Sequence, residues 1–318
     1  MAKNDITKTQ MLLTDLHKRL MDGQVYLDAI DEVDTLISSA ERQQRTPVEV
    51  AQPVHEVRQL FTNFVDDVQQ GNHEPMSDQL VGAIIQNATT DNMTMRRMIL
   101  IALEMSLENN LITTKQLTAL FRYFSQPQVL LAHIDEPNNK AAYGRSIVVN
   151  VIRLLLIADR SGYFFLTQDD LNKFLNVVTM LPITEKDTRG FVDRVGWVHM
   201  YTGIANLYSE LCEHDELVRG DKILLLATLI EGYKNIDTSF TMGENEDIAN
   251  FLIKLFDQHQ LYQDFFVKQV EKWRQQLNHF NPYAKEEWVR LFNYRRLMKS
   301  LVMDGNLPAK VMKAIVKD

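Results

Sequence analysis

The fold prediction rests on three stretches that repeat every 54 residues: ITTKQLTALF (112–121), LTQDDLNKFL (166–175) and GDKILLLATL (220–229). Each carries a residue that can cap a helix, namely Thr113, Thr167 or Asp221. Apolar residues four and eight positions after the cap lie on one helical face. The third stretch matches less well, because Thr228 stands where the other two have an apolar residue. A helical unit repeated in this way predicts stacked helix pairs.

Apolar residues recur at three- and four-residue spacing through nearly the whole chain, and this periodicity predicts an all-α protein. The expected helices are 6–22, 24–42, 53–70, 76–89, 92–109, 114–125, 140–159, 168–180, 187–213, 221–234, 244–259, 261–279, 283–303 and 308–317. With the repeat, they favour an α-α superhelix, a HEAT- or armadillo-like solenoid of stacked helix pairs. The alternative is an irregular helical bundle. We expect an N-terminal helical region at 1–90 and a repeat region with a C-terminal cap at 91–318, joined as one continuous solenoid.

Composition places the chain with soluble globular proteins, because 45% of its 318 residues are hydrophobic and 24% are charged. The N-terminal MAKNDITKTQ is polar, unlike a signal peptide. The sequence has no run of about 18 apolar residues, so no membrane span is expected. The single cysteine, Cys212, excludes an internal disulfide framework. These features predict a cytoplasmic protein without a membrane partner.

Charge is distributed unevenly along the chain. The net charge is −8, but residues 266–318 hold 11 Lys and Arg against 5 Asp and Glu, which leaves −14 for the rest. Aromatic residues are interleaved with these cations: Trp273, Phe280, Tyr283, Trp288, Phe292 and Tyr294. A capping segment docked on an acidic body explains the pattern. A groove for nucleic acid and a surface for another acidic partner are the alternatives.

The chain contains no recognisable cofactor or metal motif. There is no His-Glu-x-x-His, phosphate-binding loop or nucleophile elbow, and one cysteine excludes a zinc finger. DRSGYFFLTQDD (159–170) fails as a calcium loop, because Gly162 is at position four and Asp170 at position twelve. A capping box between Thr167 and Asp170 explains it better. We therefore expect no metal, no cofactor and no assignable catalytic residue.

The most distinctive stretch is RGFVDRVGWVHMYTGIANLY (189–208), inside the predicted helix 187–213. An apolar stripe with 4-3-4-3 spacing runs along it: Trp197, Tyr201, Ile204, Tyr208 and Leu211. Gly196 and Gly203 flank His199 on a neighbouring face, which suggests close approach of another backbone or of a bound group. Either this is a packing seam with a buried Trp197, lying near helix 140–159 and reached by Arg145, or His199 faces a ligand.

Helix 140–159 is apolar nearly all round, so it should lie inside the stack. Three polar residues interrupt it at i, i+4 and i+7: Ser146, Asn150 and Arg153. Such a stripe faces solvent or a groove unless each group finds a buried partner.

Several of these residues resemble a bacterial helical family known as domain of unknown function 2785. The similar segments are Arg145-Ser146, Arg189-Gly190-Phe191-Val192, Gly196-Trp197-Val198-His199 and Gly243-Glu244-Asn245-Glu246. The resemblance covers about residues 90–300 and implies a HEAT-like helical fold without an established activity. The family usually has a second His and then an Asp where this chain has Gly203 and Asn206. A metal held by two histidines on one helical face is therefore not expected here.

We expect a non-catalytic binding or scaffold module whose partner is a protein or a peptide. One alternative is an enzyme with its site in a groove near His199, and another is a nucleic-acid binder that uses the basic C-terminal segment. The candidate ligand-facing residues are His199, Trp197, Arg145, Arg189 and Glu244.

Overall fold

The computed structural model describes residues 2–23, 26, 28–38, 44–136, 138–279 and 281–316. Its helices are α1 (Ala2–Met21), α2 (Ala29–Ser38), α3 (His55–Gln69), α4 (Asp78–Asn87), α5 (Met93–Glu108), α6 (Thr114–Phe124), α7 (Pro127–Leu130), α8 (Ala141–Ala158), α9 (Gln168–Val178), α10 (Met180–Thr184), α11 (Met200–Cys212), α12 (Arg219–Lys234), α13 (Glu244–Gln258), α14 (Gln260–Leu277), α15 (Lys285–Asp304) and α16 (Ala309–Val316). A π-helical turn, Asp159–Tyr163, follows α8, and two short strands, β1 (Phe191–Val192) and β2 (Gly196–Trp197), precede α11. Within the described residues these two strands form the whole sheet, so the prediction of an all-α protein is confirmed.

Most predicted helices agree with the structure to within a few residues. Two short helices, α7 and α10, were not predicted, and only the second half of the predicted helix 187–213 is helical. The predicted helix 24–42 corresponds to α2, and its flanks at 24–25, 27 and 39–42 lie outside the described residues.

The helix caps explain where two of the repeated helices begin. Thr113 and Thr167 each accept a hydrogen bond from the backbone of the third helical residue, and both form capping boxes. The prediction that Asp221 caps its helix is wrong, because α12 begins at Arg219. Asp221 is its third residue, and its carboxylate accepts a hydrogen bond from the Val218 N–H at 2.9 Å.

The helices contact one another in two rows. In the first row, α3 contacts α5, α5 contacts α8, α8 contacts α11, α11 contacts α13 and α13 contacts α15. In the second, α4 contacts α6, α10 contacts α12, α12 contacts α14 and α14 contacts α16, while α7 and α9 connect α6 to α10. Their buried apolar side chains form one connected cluster from Leu13 to Ile315.

The first two helices contact the middle of the second row. Helix α1 contacts α9 and α12, and α2 contacts α12. His17 of α1 shares hydrogen bonds with Asp221 of α12 and Asn176 of α9. Residues near the N-terminus therefore pack against residues about 200 positions later, across the predicted boundary between 1–90 and 91–318, a division that stays a prediction.

Helix α8 is the apolar centre of the first row. Together with the π-helical turn, it is long and apolar enough to cross a membrane by length and composition alone. Most of it is buried among other helices, and the core helix of a soluble protein has the same character. Its half-buried residues include Asn150 and Arg153, so part of the predicted polar stripe faces outward.

Candidate ligand-binding cavity

A β-hairpin replaces the first half of the predicted helix 187–213. Phe191 of β1 pairs with Trp197 of β2 in an antiparallel arrangement, and residues 193–195 form the turn. Arg194 and Gly196 have left-handed backbones with φ of 66° and 85°, which a continuous right-handed helix does not allow. The helix predicted over 187–199 is therefore wrong.

Two backbone hydrogen bonds extend the hairpin to the start of α11. The Val198 N–H donates to the Gly190 carbonyl at 2.8 Å, and the His199 N–H donates to the Arg189 carbonyl at 3.0 Å. His199 directly precedes α11 and has a left-handed backbone, with φ of 41° and ψ of 51°. Such a conformation is uncommon for a residue other than glycine and is strained. The hairpin therefore fixes both the position and the direction of the His199 side chain.

The hairpin covers a cavity of about 680 Å³ between α5, α8 and the start of α11. This volume is within the range of small-molecule sites. Its walls are formed by Met93, Thr94, Arg96, Arg97, Leu100, Ser146, Ile147, Asn150, Phe191, Val195, Gly196, Trp197, Val198, His199, Thr202 and Gly203. Two of the five predicted site residues, Trp197 and His199, line it directly.

Trp197 is exposed, contrary to the prediction of a buried packing residue. Its exposed fraction is 53%, whereas Tyr201, Ile204 and Tyr208 of the same predicted stripe are buried. The difference arises because Trp197 belongs to β2 and the other three belong to α11. The Trp197 ring contacts Phe191 edge-on at 5.2 Å and the imidazole of His199 at 4.3 Å between centroids. Both aromatic residues of the hairpin are thus accessible at the cavity.

His199 and Glu244 face each other without forming a hydrogen bond. His199 Nε2 lies 3.8 Å from Glu244 Oε1, and both atoms are buried with no hydrogen-bond partner among the described residues. The other Glu244 oxygen accepts from the Met242 N–H at 2.8 Å, which fixes the carboxylate at the beginning of α13. Buried polar atoms in folded proteins are nearly always paired. A small shortening of the 3.8 Å separation would pair the two atoms.

Arg145 does not reach His199. It forms a bidentate ion pair with Glu185, with two N–O distances of 2.9 Å, and donates to the Ala132 carbonyl at 2.7 Å. Both charged side chains are almost completely buried. The predicted contact with His199 is absent, because Arg145 is held by a carboxylate on the segment between α10 and β1.

Arg189 positions the hairpin and lies outside the cavity walls. Its guanidinium contacts the buried carboxylate of Asp187 and donates to the Asn139 carbonyl at 2.7 Å and the Tyr143 hydroxyl at 3.1 Å. Burial lowers the pKa of Arg189, but the hydrogen bond and charge of Asp187 more than offset it, so the pKa is raised. Through its carbonyl, Arg189 also holds His199, as described above.

Arg96, which the sequence analysis did not select, is the buried cation of the cavity. It is 7% exposed and donates to the Tyr143 carbonyl, to Ser146 Oγ and to the Trp197 carbonyl. Burial lowers its pKa to about 10. Within the described residues no carboxylate forms an ion pair with it, although the charge of Asp91 partly opposes the lowering of its pKa. A signal was present, since Arg96 shares a helical face with the apolar Ile99 and Leu103.

The two glycines beside His199 have different roles. A Cβ atom on Gly203 would lie 3.1 Å from Val149 of α8, which shows the predicted close approach of α11 to α8. Gly196 instead supplies a left-handed turn residue in β2. The described residues contain no cluster of three or more His, Cys, Asp or Glu side chains that could hold a metal ion.

Comparison with known proteins identifies one family. A family model described as a protein of unknown function (DUF2785) matches residues 130–303, more than half of the chain. The match includes α8, the hairpin, α11 and Glu244, whereas Arg96 on α5 lies outside it. No curated protein and no solved structure shows significant similarity. The chain therefore belongs to the DUF2785 family.

Proposed function

We propose that this protein is a binding module whose ligand occupies the cavity beside the hairpin. The observation that carries the proposal is the pair of accessible aromatic rings, Phe191 and Trp197, at a cavity of about 680 Å³. Exposed aromatic side chains at a concave surface are typical of binding sites. A small molecule, or one or two side chains of a protein or peptide partner, would fit this volume.

We also propose that the two rows of helices form an α-solenoid of the HEAT or armadillo kind. The contacts between alternate helices support this arrangement, because each helix pair of a solenoid packs mainly on its neighbours. Solenoid proteins commonly hold partners on one long face. The cavity would then lie among helices of the first row, between α5, α8 and α11.

A fragment screen by ligand-observed NMR tests the binding proposal. The library should contain neutral, cationic and anionic aromatic fragments. Asn150→Phe should fill the cavity, because Asn150 lines it and, among the described residues, its side chain hydrogen-bonds only to the Ser146 carbonyl of its own helix. Glu104→Phe is the matched control, since Glu104 is exposed on α5 and does not line the cavity.

We expect fragments to bind the wild type and Glu104→Phe but not Asn150→Phe. If no fragment binds, or if Asn150→Phe binds equally well, the cavity is not the binding site and the proposal is wrong.

The arrangement of His199 and Glu244 supports a second candidate, an enzyme in which His199 acts as a general acid or base. A carboxylate that orients an imidazole is a common arrangement for proton transfer. The 3.8 Å separation would have to shorten when substrate binds. Aromatic esters and amides that bind in the screen should then be converted to products. Asn tolerates a left-handed backbone, so His199→Asn should abolish turnover without loss of binding. Binding without any turnover would favour the non-catalytic module.

Nucleic-acid binding by the basic C-terminal segment has less support. Trp273 and Tyr294 are buried, and Phe280 lies outside the described residues. Lys268 and Lys272 form ion pairs with Asp28 and Asp31 near the N-terminus. The remaining support is the exposed side chain of Tyr283 and the exposed stacked pair of Trp288 and Phe292. Binding of a single-stranded oligonucleotide with steep salt dependence would revive this alternative.

A further inference from the structure

We infer that the cavity accepts an organic monoanion, most simply an aromatic carboxylate whose charged group pairs with Arg96 and whose ring lies against Trp197. This inference rests on the proposed binding function and adds the chemical class of the ligand. It follows from the buried charge on α5, from the absence of acidic residues in the cavity walls and from the position of the exposed indole.

Arg96 is a buried charge that forms no ion pair among the described residues, and Asp91 acts on it without contacting it. All three of its hydrogen bonds go to neutral oxygens, and a guanidinium has five N–H groups. Two N–H groups therefore lack an acceptor among the described residues. A charge buried without an opposite charge is costly, and this cost would be recovered when an anion binds. Arg96 could then complete a charge-assisted pair of the kind that arginine forms with planar carboxylates.

The charges around Arg96 have the sign that an anion requires. Arg97 lines the same cavity, is exposed and forms no hydrogen bond or ion pair within the described residues. None of the wall residues is Asp or Glu. Three carboxylates lie behind the walls. Asp91 acts on the charge of Arg96 and pairs with Lys140, Glu244 lies 3.8 Å from His199 Nε2, and Asp247 accepts a hydrogen bond from Thr202 at 2.8 Å. An entering carboxylate would therefore meet cations in the walls and no opposing anion.

The aromatic part of the ligand is indicated by the connection between Arg96 and Trp197. Arg96 Nη2 donates to the Trp197 carbonyl at 2.8 Å. The guanidinium is therefore bound to the backbone of the residue whose side chain is the exposed indole. Phe191 and Met93 add exposed apolar surface at the same opening. A ligand with its charge close to an aromatic ring would contact both groups at once. A single negative charge suffices to balance the one buried guanidinium.

Calorimetric titration with three matched probes tests the inference: 2-naphthoate, the neutral 2-naphthamide and the dianionic 2-naphthyl phosphate. The acid and the amide have the same shape, so a difference between them reports the charge. We expect 2-naphthoate to bind the wild type at least about tenfold more tightly than 2-naphthamide, the factor given by one charge-assisted hydrogen bond. Weaker binding of the phosphate would support the monoanion, and tighter binding would overturn that part of the inference.

Two variants assign the preference to particular residues. Arg96→Met should remove the preference for the acid while leaving the amide affinity within about threefold, because the ring still contacts Trp197. Arg97→Gln, at an exposed side chain that forms no ion pair with the described residues, should reduce the preference by about threefold through lost long-range attraction. If Arg96→Met does not fold, the acid–amide comparison in the wild type and in Arg97→Gln decides the question.

The inference and the binding proposal fail in different ways. Equal binding of acid and amide, or preferential binding of cationic fragments, overturns the monoanion while the cavity remains a binding site. Failure of every fragment to bind in the cavity overturns both.

Discussion

The three arginines around the hairpin differ in whether a carboxylate pairs with them. Arg145 and Arg189 are held by the buried carboxylates of Glu185 and Asp187, so their charges are compensated inside the protein. Removing either partner would leave a buried charge, which typically costs about 3–5 kcal/mol. Arg96 has neutral acceptors instead, and its charge remains available. At the scale of single residues, the distinction between supporting and binding groups therefore depends on where each carboxylate lies.

Trp197→Ala should destabilise the protein by only about 1 kcal/mol, because roughly half of the side chain is already exposed to water. A fully buried tryptophan would cost about 3–5 kcal/mol, so a urea melt separates the two cases. The Trp197 carbonyl that accepts from Arg96 is retained in the variant. Trp197→Phe is the control, and it should keep both the stability and most of the affinity for aromatic fragments. A loss of 3 kcal/mol or more in the alanine variant would contradict the exposed position.

The sequence predicted Trp197 and His199 as ligand-facing residues, and the structure places both at one cavity. The partners of Arg145 and Arg189 could not be predicted from the sequence, because these pairings depend on the path of the loop between α10 and β1. Arg96 was missed because a charged residue beside a second arginine in a helix is usually solvated. Only the tertiary structure shows that one of the two is buried and the other exposed.

Glycines within helices show how closely neighbouring helices of the second row pack. A Cβ atom on Gly232 of α12 would clash with the Pro182 carbonyl oxygen of α10. This is a backbone atom, so no change of side-chain rotamer can relieve the clash. A Cβ atom on Gly82 of α4 would meet nothing within 4 Å. The same substitution should therefore have opposite effects in two helices.

Gly232→Ala should cost about 3 kcal/mol, because α12 and α10 would have to separate. Gly82→Ala should stabilise by about 0.5–1 kcal/mol, because alanine is the better helix former and space is available. Paired thermal melts of the two variants test this prediction. Equal effects on the midpoint would show that α10 does not contact α12 at Gly232.

Glu231 makes stability depend on pH through helix α12. Burial raises the pKa of its carboxyl from 4.5 to about 7, and Lys234 offsets this only in part. The folded protein thus binds this proton more tightly than the unfolded chain. Its contribution to the unfolding free energy is fully present below the unfolded pKa and is lost as pH rises through about 7.

Urea melts at pH 5 and pH 8 should therefore show lower stability at pH 8 for the wild type. Glu231→Gln cannot ionise, so it should reduce this difference by about 2 kcal/mol. The comparison concerns the difference between the two pH values and is independent of any constant cost of the substitution. An unchanged difference would mean that Glu231 is not the group responsible.

Most helices could be predicted from apolar spacing because burial imposes a 3.6-residue period on each of them. The hairpin was predicted as helix because Val192, Val195 and Val198 recur every third residue, which matches the apolar spacing of a helix. Asp221 was placed at a cap because the 54-residue repeat aligned it with threonines. An aspartate can be the N-cap residue itself, or it can be the third helical residue and accept a hydrogen bond from the N–H of the N-cap residue. Spacing alone does not distinguish these two positions.

At the scale of the whole molecule, acidic residues near the N-terminus pair with the basic segment that begins in α14. Lysines of α14 form ion pairs with Asp28 and Asp31, while α1 and α2 pack against the second row. These exposed pairs contribute little energy individually. The apolar face of α1, which buries Leu13, Leu16 and Leu20, holds the N-terminal helices in place.

Leu16→Ala should lower the unfolding free energy of the whole protein by about 2–4 kcal/mol, with a single transition, because Leu16 belongs to the common core. Met11→Ala on the exposed face of the same helix should change it by less than about 0.5 kcal/mol. Denaturation followed by circular dichroism and tryptophan fluorescence provides the measurement. Separate transitions would instead support residues 1–90 as an independent domain.

The contact of α1 with α12 also has a consequence for synthesis on the ribosome. His17 leaves the exit tunnel long before Asp221, since 204 positions separate them in the chain. At typical elongation rates of about 5–20 residues per second, roughly 10–40 s pass between the synthesis of α1 and that of α12, on which it packs. During that interval its apolar face is open to the surrounding solution. We therefore expect chaperones that bind exposed apolar segments to hold the nascent chain until α12 emerges.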